Sequence, residues 1–120
     1  MTPILFTATT KPDEARDFYT QVMGFALTED SPFSLSFDAC GTMLRVQKVQ
    51  DFTPLPFTLF GWQVDDIAAK IDELHGRGAV FERFDFMGQD ERGVWTAADG
   101  AKVAWFKDPD GNTLSLSEFG

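Results

Sequence analysis

Residues 102–118, with the sequence KVAWFKDPDGNTLSLSE, carry the pattern from which the fold can be inferred. In the first part of this stretch, Val103 and Trp105 alternate with Ala104 and Phe106. Successive side chains of a β-strand point to opposite faces, so alternation with a period of two indicates a strand. The stretch is therefore predicted to begin with a strand that has two distinct faces.

The middle of the stretch is predicted to be a tight turn. Residues 108–111, Asp-Pro-Asp-Gly, have the composition of a type I turn, with proline at the second position and glycine at the fourth. After the turn, Leu114 and Leu116 lie on one face of a second strand, and Ser115 and Ser117 lie on the other. The prediction is a β-hairpin with one apolar face for a core and a second face available for another role.

The composition favours a globular domain without nucleic-acid or membrane partners. The chain has 120 residues, a hydrophobic fraction of 43% and an aromatic fraction of 14%, which predicts a single domain over residues 1–120. The net charge is −9 and the pI is about 4.3. Nucleic acids and anionic membranes attract basic surfaces, so we expect neither as a partner.

Cysteine use and hydropathy predict a cytoplasmic protein. Cys40 is the only cysteine, so no internal disulfide can form. No apolar run is long enough to span a bilayer, and the N-terminus lacks the charged-then-apolar pattern of a signal peptide. We therefore expect a cytoplasmic location.

The first half of the chain has the pattern of a β-α-β-β-β unit. Thr10 is placed to cap a helix on which Ala15, Phe18 and Val22 recur at helical spacing, and Gly24 follows the end of that helix. Phe18 is expected to anchor the helix to the sheet. The alternation of apolar and polar residues predicts four strands, over residues 3–8, 25–29, 33–38 and 42–49.

The second half of the chain repeats this plan after a short extended linker, residues 51–56, that contains two prolines. The pair Asp65-Asp66 is predicted to cap a helix that carries the apolar stripe Ile67, Ile71 and Leu74. Besides the hairpin, strands are predicted over residues 57–64, 79–87 and 93–98.

The two halves match at an offset of roughly 54 residues, which aligns Leu5-Phe6 with Leu59-Phe60 and Gly24 with Gly78. A single helix would leave one sheet face of each unit uncovered, whereas two units side by side can form a concave mixed sheet with outer helices and a cleft. The predicted fold class is α+β, with two pseudo-symmetric β-α-β-β-β modules over residues 1–50 and 57–120.

Three segments carry a resemblance to a known family: residues 15–25 (ARDFYTQVMGF), 64–67 (VDDI) and 106–112 (FKDPDGN). With these segments in this order, the chain resembles the vicinal oxygen chelate superfamily, which includes glyoxalase I, extradiol dioxygenases, and the fosfomycin and bleomycin resistance proteins. The last segment is the most specific. The resemblance implies paired modules, a cleft for a small molecule and assembly as a homodimer.

Metal-using members of this superfamily place histidine or glutamate at four inward strand positions. The resemblance matches these positions to Ile4, residues 44–46 around Arg45, Leu59 and Ser115. None of these residues offers the carboxylate, imidazole or thiolate that a divalent ion needs, normally three or more at once. The match therefore predicts no metal site, no cofactor and no assigned catalytic residue.

The remaining reactive residues are expected to be ordinary. His75, the only histidine, falls in the last turn of the second predicted helix, where a solvated cation suits the helix dipole. Cys40 lies in a predicted turn without a nearby histidine, so we expect a plain turn residue there.

Strand residues supply the candidates for a ligand site. Arg45 is the best candidate for a contact with an anion or a carbonyl group, and a solvated edge-strand arginine is the alternative. The tryptophans either line the cleft or pack in the core. Seven side chains are candidates for the cleft: Phe37, Arg45, Leu59, Gln63, Trp95, Trp105 and Ser115.

Three functions stay open on the sequence alone. The first is a metal-free protein, similar to the bleomycin resistance type, that sequesters an aromatic or hydrophobic organic ligand in an aromatic-lined cleft. The second is a metal-dependent lyase or dioxygenase whose ligands have moved to other positions. The third is a non-catalytic structural or interaction protein whose own aromatic side chains fill the cleft. The unmatched metal positions and the aromatic content favour the first, and whether the protein is an enzyme stays open.

Overall fold

Each half of the chain folds into a four-stranded sheet with one helical segment on one of its faces. The computed structural model describes all 120 residues. It has two compact units, Met1–Pro54 and Leu55–Gly120, and the boundary between them falls in the predicted linker. That the two units form one domain stays a prediction. Neither helix has the length and apolarity that a membrane span requires.

Unit 1 contains four strands and a helix whose last turn is wider than an α-helix. The strands have the sheet order β1-β4-β3-β2, in which β1 is parallel to β4 and the other pairs are antiparallel. The elements are β1 (Ile4–Thr9), α1 (Pro12–Asp17) with a π-helical continuation (Phe18–Val22), β2 (Ala26–Asp30), β3 (Ser34–Ala39) and β4 (Thr42–Lys48).

Unit 2 repeats this topology. Its sheet order is β5-β8-β7-β6, with β5 parallel to β8, so both sheets are mixed. The elements are β5 (Thr58–Gln63), α2 (Ile67–Gly76), β6 (Trp95–Thr96), β7 (Lys102–Lys107) and β8 (Thr113–Glu118). The repeated order confirms the predicted pair of β-α-β-β-β modules.

The core of unit 1 lies between α1 and one face of the sheet. Tyr19 is fully buried, and its ring centroid lies 5.4 Å from that of Phe37. Phe18, which was predicted to anchor the helix, is only partly buried, and its ring meets that of Tyr19 edge to face at 5.0 Å. The amide of Met23 bonds the carbonyl of Phe18, five residues back, and this wider turn changes the spacing between Phe18 and Val22 from that of an α-helix.

The start of α1 also differs from the prediction. Lys11 takes the N-cap position and no side chain caps the helix, so Thr10 is not the cap. The hydroxyl of Thr9, at the end of β1, instead accepts a hydrogen bond of 2.9 Å from the amide of Lys11. Pro12 in the first turn lacks an N–H, so it adds no unsatisfied donor there.

The core of unit 2 follows the predicted stripe. Ile67, Ile71 and Leu74 of α2 are buried, as predicted, opposite the alternating residues of the hairpin. Asp66 caps the helix as predicted, because its carboxylate accepts a hydrogen bond from the amide of Ala69. The hairpin side chains that are buried with α2 are Ala104, Phe106, Leu114 and Leu116.

The hairpin turn between β7 and β8 is built by one buried carboxylate. The amide of Gly111 bonds the carbonyl of Asp108, which confirms the predicted β-turn, and Gly111 has a φ of 90°. Oδ1 of Asp108 accepts bonds from the amides of Asp110 and Asn112, and Oδ2 accepts one from the Asn112 side chain. Polar groups in this buried turn are therefore satisfied, as burial requires.

Two predicted strands of unit 2 were wrong or too long. The strand predicted over residues 79–87 is reduced to one bridge, between Phe81 and Phe106, and the strand predicted over residues 93–98 is only Trp95–Thr96. The amide of Gln89 occupies backbone groups that a strand would pair with a neighbour. It donates to the carbonyls of Glu82 and Gly93 and accepts from the amide of Phe84.

Candidate ligand-binding surface

The sheet of unit 2 has a second face, which its helix does not cover. We call the sheet face opposite the helix the helix-free face of each unit. In unit 2, Trp105 pairs in register with Ser115, and Val103 pairs with Ser117 and with Trp95. Because paired residues project to the same side, these side chains share the helix-free face.

Four aromatic rings form a connected cluster around Trp105. The ring centroid of Trp95 lies 6.3 Å from that of Trp105 at an interplanar angle of 38°, and Phe84 meets Trp105 edge to face at 5.8 Å. Phe86 lies 6.0 Å from Phe84 and is 85% exposed. We call Phe84, Phe86, Trp95 and Trp105 the aromatic cluster. Its surface is partly open, which suits contact with a planar apolar molecule.

Hydrogen-bond donors lie beside these rings. Nε1 of Trp105 donates to the hydroxyl oxygen of Thr58 at 3.1 Å. Because the indole N–H can only donate, the Thr58 hydroxyl hydrogen is left to donate elsewhere, and it has no acceptor within the chain. The indole N–H of Trp95 likewise has no partner among the hydrogen bonds of the chain. A ligand with an acceptor at its edge could satisfy such donors.

The absence of a side chain at Gly61 lets the largely buried Ser115 side chain lie over β5. A Cβ atom at Gly61 would lie 2.2 Å from Oγ and 2.5 Å from the backbone oxygen of Ser115, so a larger residue would displace this part of the sheet. Gly61 pairs in register with Ser115 and is itself exposed. Ser115 thus has Trp105 as its neighbour on β7, and on β5 it has Gly61, which has no side chain to cover the Ser115 hydroxyl.

Two other sequence candidates lie on β5. The pairing of β5 with β8 shifts register between Thr58 and Phe60, so Leu59 occupies a β-bulge. Gln63 pairs with Ser117 at the far end of the strand and is exposed. The bulge places Thr58 opposite Thr113, and this brings the Thr58 hydroxyl to Trp105.

Polar side chains of the segment after α2 hold the aromatic cluster in place. Besides the three bonds of Gln89, both terminal nitrogens of Arg83 donate to the backbone carbonyls of Asp90 and Glu91. The carboxylate of Asp90 accepts from the amides of Arg92 and Val94. These bonds fix the backbone on both sides of Phe84 and Phe86 where the sheet does not.

Arg45 lies on the helix-free face of unit 1. It pairs in register with Phe6 on β1 and with Ser36 on β3. Its Nε donates to the Ser34 hydroxyl at 3.3 Å, and its Nη2 lies 3.9 Å from a carboxylate oxygen of Glu29 on β2. The side chain thus extends from β4 across β3 toward β2.

Phe37 does not lie on the surface for which it was a candidate. Its side chain is fully buried and packs against Tyr19 in the core of unit 1. It pairs in register with Leu44, whose side chain is also fully buried. The alternation of β3 was predicted correctly, but alternation alone does not show which face the helix covers.

Of the sequence candidates, the structure brings Trp95, Trp105 and Ser115 together on one face. It adds Thr58, Phe84 and Phe86, which the sequence analysis did not include. The only sequence signal for the two phenylalanines was their spacing of two residues in a stretch that resembled a strand. Thr58 was adjacent to a candidate, and only the bulge reveals its contact with Trp105.

The residues at the metal positions of the superfamily do not fit a metal ion. Ile4 and Leu59 have no donor atom, Arg45 is a cation and Ser115 offers one neutral hydroxyl. In addition, no three His, Cys, Asp or Glu side chains are grouped so that they could hold an ion elsewhere. His75 is exposed, with Nδ1 at 3.0 Å from the carbonyl of Ala79, and Cys40 is an exposed turn residue.

A separate concavity of about 230 Å³ lies between α2 and the segment after it, with Ile71 and Phe81 among its walls. Its charged groups are largely paired with each other. Arg92 donates two hydrogen bonds to the carboxylate of Asp72, at 3.0 and 3.1 Å. This hydrogen bonding, together with the positive charge of Arg92, lowers the pKa of Asp72 below its ordinary value of 3.8. The aromatic cluster offers more unpaired donors and is the stronger candidate site.

The fold and sequence together define the class of protein. The family model described as Glyoxalase/Bleomycin resistance protein/Dioxygenase superfamily matches residues 5–116. The chain therefore belongs to this superfamily, as its sequence segments predicted. Members of the superfamily bind small molecules. No curated protein matches the sequence.

Solved structures with the same fold come from several bacteria. A glyoxalase/bleomycin resistance protein/dioxygenase from Alicyclobacillus acidocaldarius has a TM-score of 0.74 at 20% identity, over 99% of this chain and 91% of that chain. TioX from Micromonospora sp. ML1 has a TM-score of 0.74 at 16% identity, over 100% and 99% of the two chains. At these identities the likeness shows the fold alone.

A third similar structure is that of FosX, a genomically encoded fosfomycin resistance protein from Listeria monocytogenes. It has a TM-score of 0.77 at 9% identity, over 100% of this chain and 93% of that chain. The fold is therefore shared with a resistance protein, although the low identity transfers no residue roles.

Proposed function

We propose that the protein is a metal-free binder of small organic molecules that uses the aromatic cluster of unit 2. The observation that carries this proposal is the partly exposed ring of Trp105, flanked by Trp95 and Phe84 and hydrogen-bonded to Thr58. Ring contacts of this kind contribute about 0.5–1.5 kcal/mol each beyond area burial. Several contacts with one planar ligand would give useful affinity.

The polar groups beside the cluster define the ligand more closely. Thr58 has a hydroxyl hydrogen to donate, and Trp95 has an indole N–H without a partner in the chain, and both residues are partly exposed. We infer that the ligand is a planar aromatic molecule with a hydrogen-bond acceptor, such as a carbonyl oxygen, at its edge. The superfamily includes proteins named for resistance to small organic compounds, which is compatible with a small organic ligand here.

The proposal is tested by calorimetric titration with 2-naphthamide, a neutral planar molecule with a carbonyl group. We expect saturable binding that weakens about tenfold in Trp95→Leu, a loss typical of one stacked aromatic contact. Trp62→Leu is the control, since Trp62 pairs in register with Leu116 and lies on the other face of the sheet. Equal losses in both variants, or no binding, would contradict the proposal.

Thr58→Val tests the hydrogen bond, because valine matches threonine in shape without the hydroxyl. We expect this variant to bind naphthalene as the unchanged chain does but to lose its preference for 2-naphthamide. A preference that survives the substitution would assign the carbonyl contact to another donor. The same data separate a ligand-binding function from a structural one, in which the rings only pack on each other and neither probe binds.

The metal-free part of the proposal rests on the donor chemistry at Ile4, Arg45, Leu59 and Ser115. An ion bound there would lose water without gaining anionic oxygens or nitrogens. Elemental analysis after mild purification should therefore find no stoichiometric nickel, zinc, iron or manganese. About one such ion per chain, lost together with an activity on chelation and restored with it, would favour a metal-dependent lyase or dioxygenase.

We also propose that the chain forms a homodimer. Strands β1 and β2 stand at the two ends of the sheet order in unit 1, and such edges are available for contact with another chain. Phe33, Leu55 and Phe57 add exposed apolar surface. Light scattering at micromolar concentration should give twice the mass of the chain, and a monomer at every concentration would contradict the dimer.

A further inference from the structure

We propose that the helix-free face of unit 1 carries an oxyanion site centred on Arg45, for an organic carboxylate with an apolar body. The site lies in the other unit from the aromatic cluster and is formed by different residues. It gives unit 1 a binding role of its own.

The first observation is that one hydrogen bond to the sheet orients the Arg45 guanidinium. Its Nε donates to the hydroxyl of Ser34, which is 2% exposed, so the hydroxyl that holds it is itself buried in the sheet. The strand pairing of β4 with β3 then sets the distance from the backbone of Arg45 to this hydroxyl. Less side-chain freedom is lost on binding when a planar donor group is already held in place.

The second observation is that most of the donor capacity of Arg45 is unused. A guanidinium carries five N–H groups, and only Nε–H makes a hydrogen bond within the chain. The Nη2 of Arg45 lies 3.9 Å from Glu29, which is too far for a hydrogen bond. The side chain is 42% exposed, so its terminal nitrogens are accessible from solvent. The two oxygens of a carboxylate can accept two parallel hydrogen bonds from the forked N–H groups of a guanidinium.

The third observation is the apolar surface beside the guanidinium. Phe6 is the register partner of Arg45 and is 50% exposed, and the neighbouring pair Ile4 and Met43 is 42% and 43% exposed. These three side chains project from the same face as Arg45. They provide contact for the apolar body of the ligand, while the guanidinium binds its carboxylate.

Glu29 is the competing anion. Its carboxylate and the guanidinium are both about half exposed, and an exposed ion pair at 3.9 Å without a hydrogen bond contributes little. A ligand carboxylate that makes two hydrogen bonds to the fork can therefore replace it. Removing the charge of Glu29 should then strengthen ligand binding, whereas a purely structural role of Arg45 would predict no such effect.

The test compares 2-naphthoate with the neutral 2-naphthamide by calorimetric titration of the full chain. We expect Arg45→Gln to weaken binding of 2-naphthoate about tenfold, and Arg45→Lys to weaken it less, since lysine keeps the charge without the fork. Binding of 2-naphthamide should change less than about twofold in either variant. Glu29→Gln should strengthen 2-naphthoate binding by about two- to fivefold.

Arg16→Gln is the matched control, because Arg16 lies in the same unit with a similarly exposed side chain that pairs with Asp13 and Asp17. It should leave 2-naphthoate binding unchanged. The proposal is overturned if 2-naphthoate does not bind, if the Arg45 variants lose no preference for it over the amide, or if Arg16→Gln has the same effect as Arg45→Gln. If only the proposal for the aromatic cluster is wrong, 2-naphthamide will not bind, but the Arg45 variants will still weaken the binding of 2-naphthoate.

Discussion

The two units share one topology but order their edges by different means. In unit 1 the edge strand β2 has 5 residues and pairs along β3, whereas in unit 2 the corresponding strand β6 has 2 residues. The segment before β6 in unit 2 takes its hydrogen bonds from the side chains of Gln89, Arg83 and Asp90. The backbone is satisfied in both units, but by a strand ladder in one and by side chains in the other.

The two units also differ in the aromatic rings that are available for a ligand. A regular strand places every second side chain on the helix side, as Leu35 and Phe37 of β3 show. In unit 2, Phe84 and Phe86 are likewise two residues apart, and both rings join the cluster with Trp105 although no strand ladder covers this segment. Unit 2 thus presents a cluster of aromatic rings even though its sheet is the less regular of the two.

The largest expected effect tests whether the two cores are equivalent despite this difference. Phe37 in unit 1 and Phe106 in unit 2 are both 0% exposed. We expect Phe37→Ala and Phe106→Ala each to lower the free energy of unfolding by about 3–5 kcal/mol, because each leaves a cavity in a packed core. Chemical denaturation monitored by circular dichroism measures both.

Phe119→Ala is the control for the core variants, because Phe119 is 63% exposed next to the C-terminal residue. It should change the free energy of unfolding by less than about 0.5 kcal/mol. A loss below about 1 kcal/mol in only one of the two core variants would show that the cores are not equivalent.

A smaller effect tests the side-chain bonds of unit 2. Gln89→Ala removes partners from the amide of Phe84 and the carbonyls of Glu82 and Gly93, so we expect a loss of about 1–3 kcal/mol. Gln47→Ala in unit 1 is the matched control, since Gln47 is exposed and its side chain makes no hydrogen bond in the chain. Hydrogen exchange should show faster exchange of the Phe84 amide in Gln89→Ala alone, and protection that persists would contradict the role of Gln89.

The smallest effect concerns the ion pair that ties this segment to α2. The hydrogen bond from Arg92 and its positive charge lower the pKa of Asp72 below its ordinary value of 3.8. A carboxylate with a lowered pKa stabilises the folded state above its unfolded pKa, and this contribution is lost as the pH falls through the folded pKa. The difference in Tm between the unchanged chain and Arg92→Gln should therefore shrink below about pH 4. A difference that grows on acidification would contradict this assignment.

The sequence was sufficient to predict the features that depend on local pattern. The alternation in residues 102–118, the stripe Ile67, Ile71 and Leu74, and the internal repeat predicted both modules and the helix side of unit 2. These predictions succeeded because the periodic spacing of apolar residues in strands and helices depends only on residues close together in the sequence. The same is true of the side-chain chemistry of the Asp108 turn.

The predictions that failed depended on contacts between distant residues. Residues 79–87 have enough apolar residues to resemble a strand, and nothing local shows that the Gln89 amide will replace the ladder. The spacing Ala15, Phe18 and Val22 suited an α-helix, but the buried residues are Ala15 and Tyr19, and a π-helical turn over Phe18–Val22 changes the spacing after Phe18. The bulge at Leu59, which brings Thr58 to Trp105, is likewise visible only when β5 and β8 pair.

The most direct test of the ligand-binding account uses the three indole N–H resonances of the protein. Trp95 and Trp105 belong to the aromatic cluster, while Trp62 lies on the other face of the same sheet and meets Phe60. In a titration with 2-naphthamide followed by ¹H–¹⁵N NMR, we expect saturable shifts of the Trp95 and Trp105 indole signals and little change at Trp62. Saturable binding that shifts Trp62 alone, or none of the three, would contradict the assignment of the aromatic cluster as the ligand site.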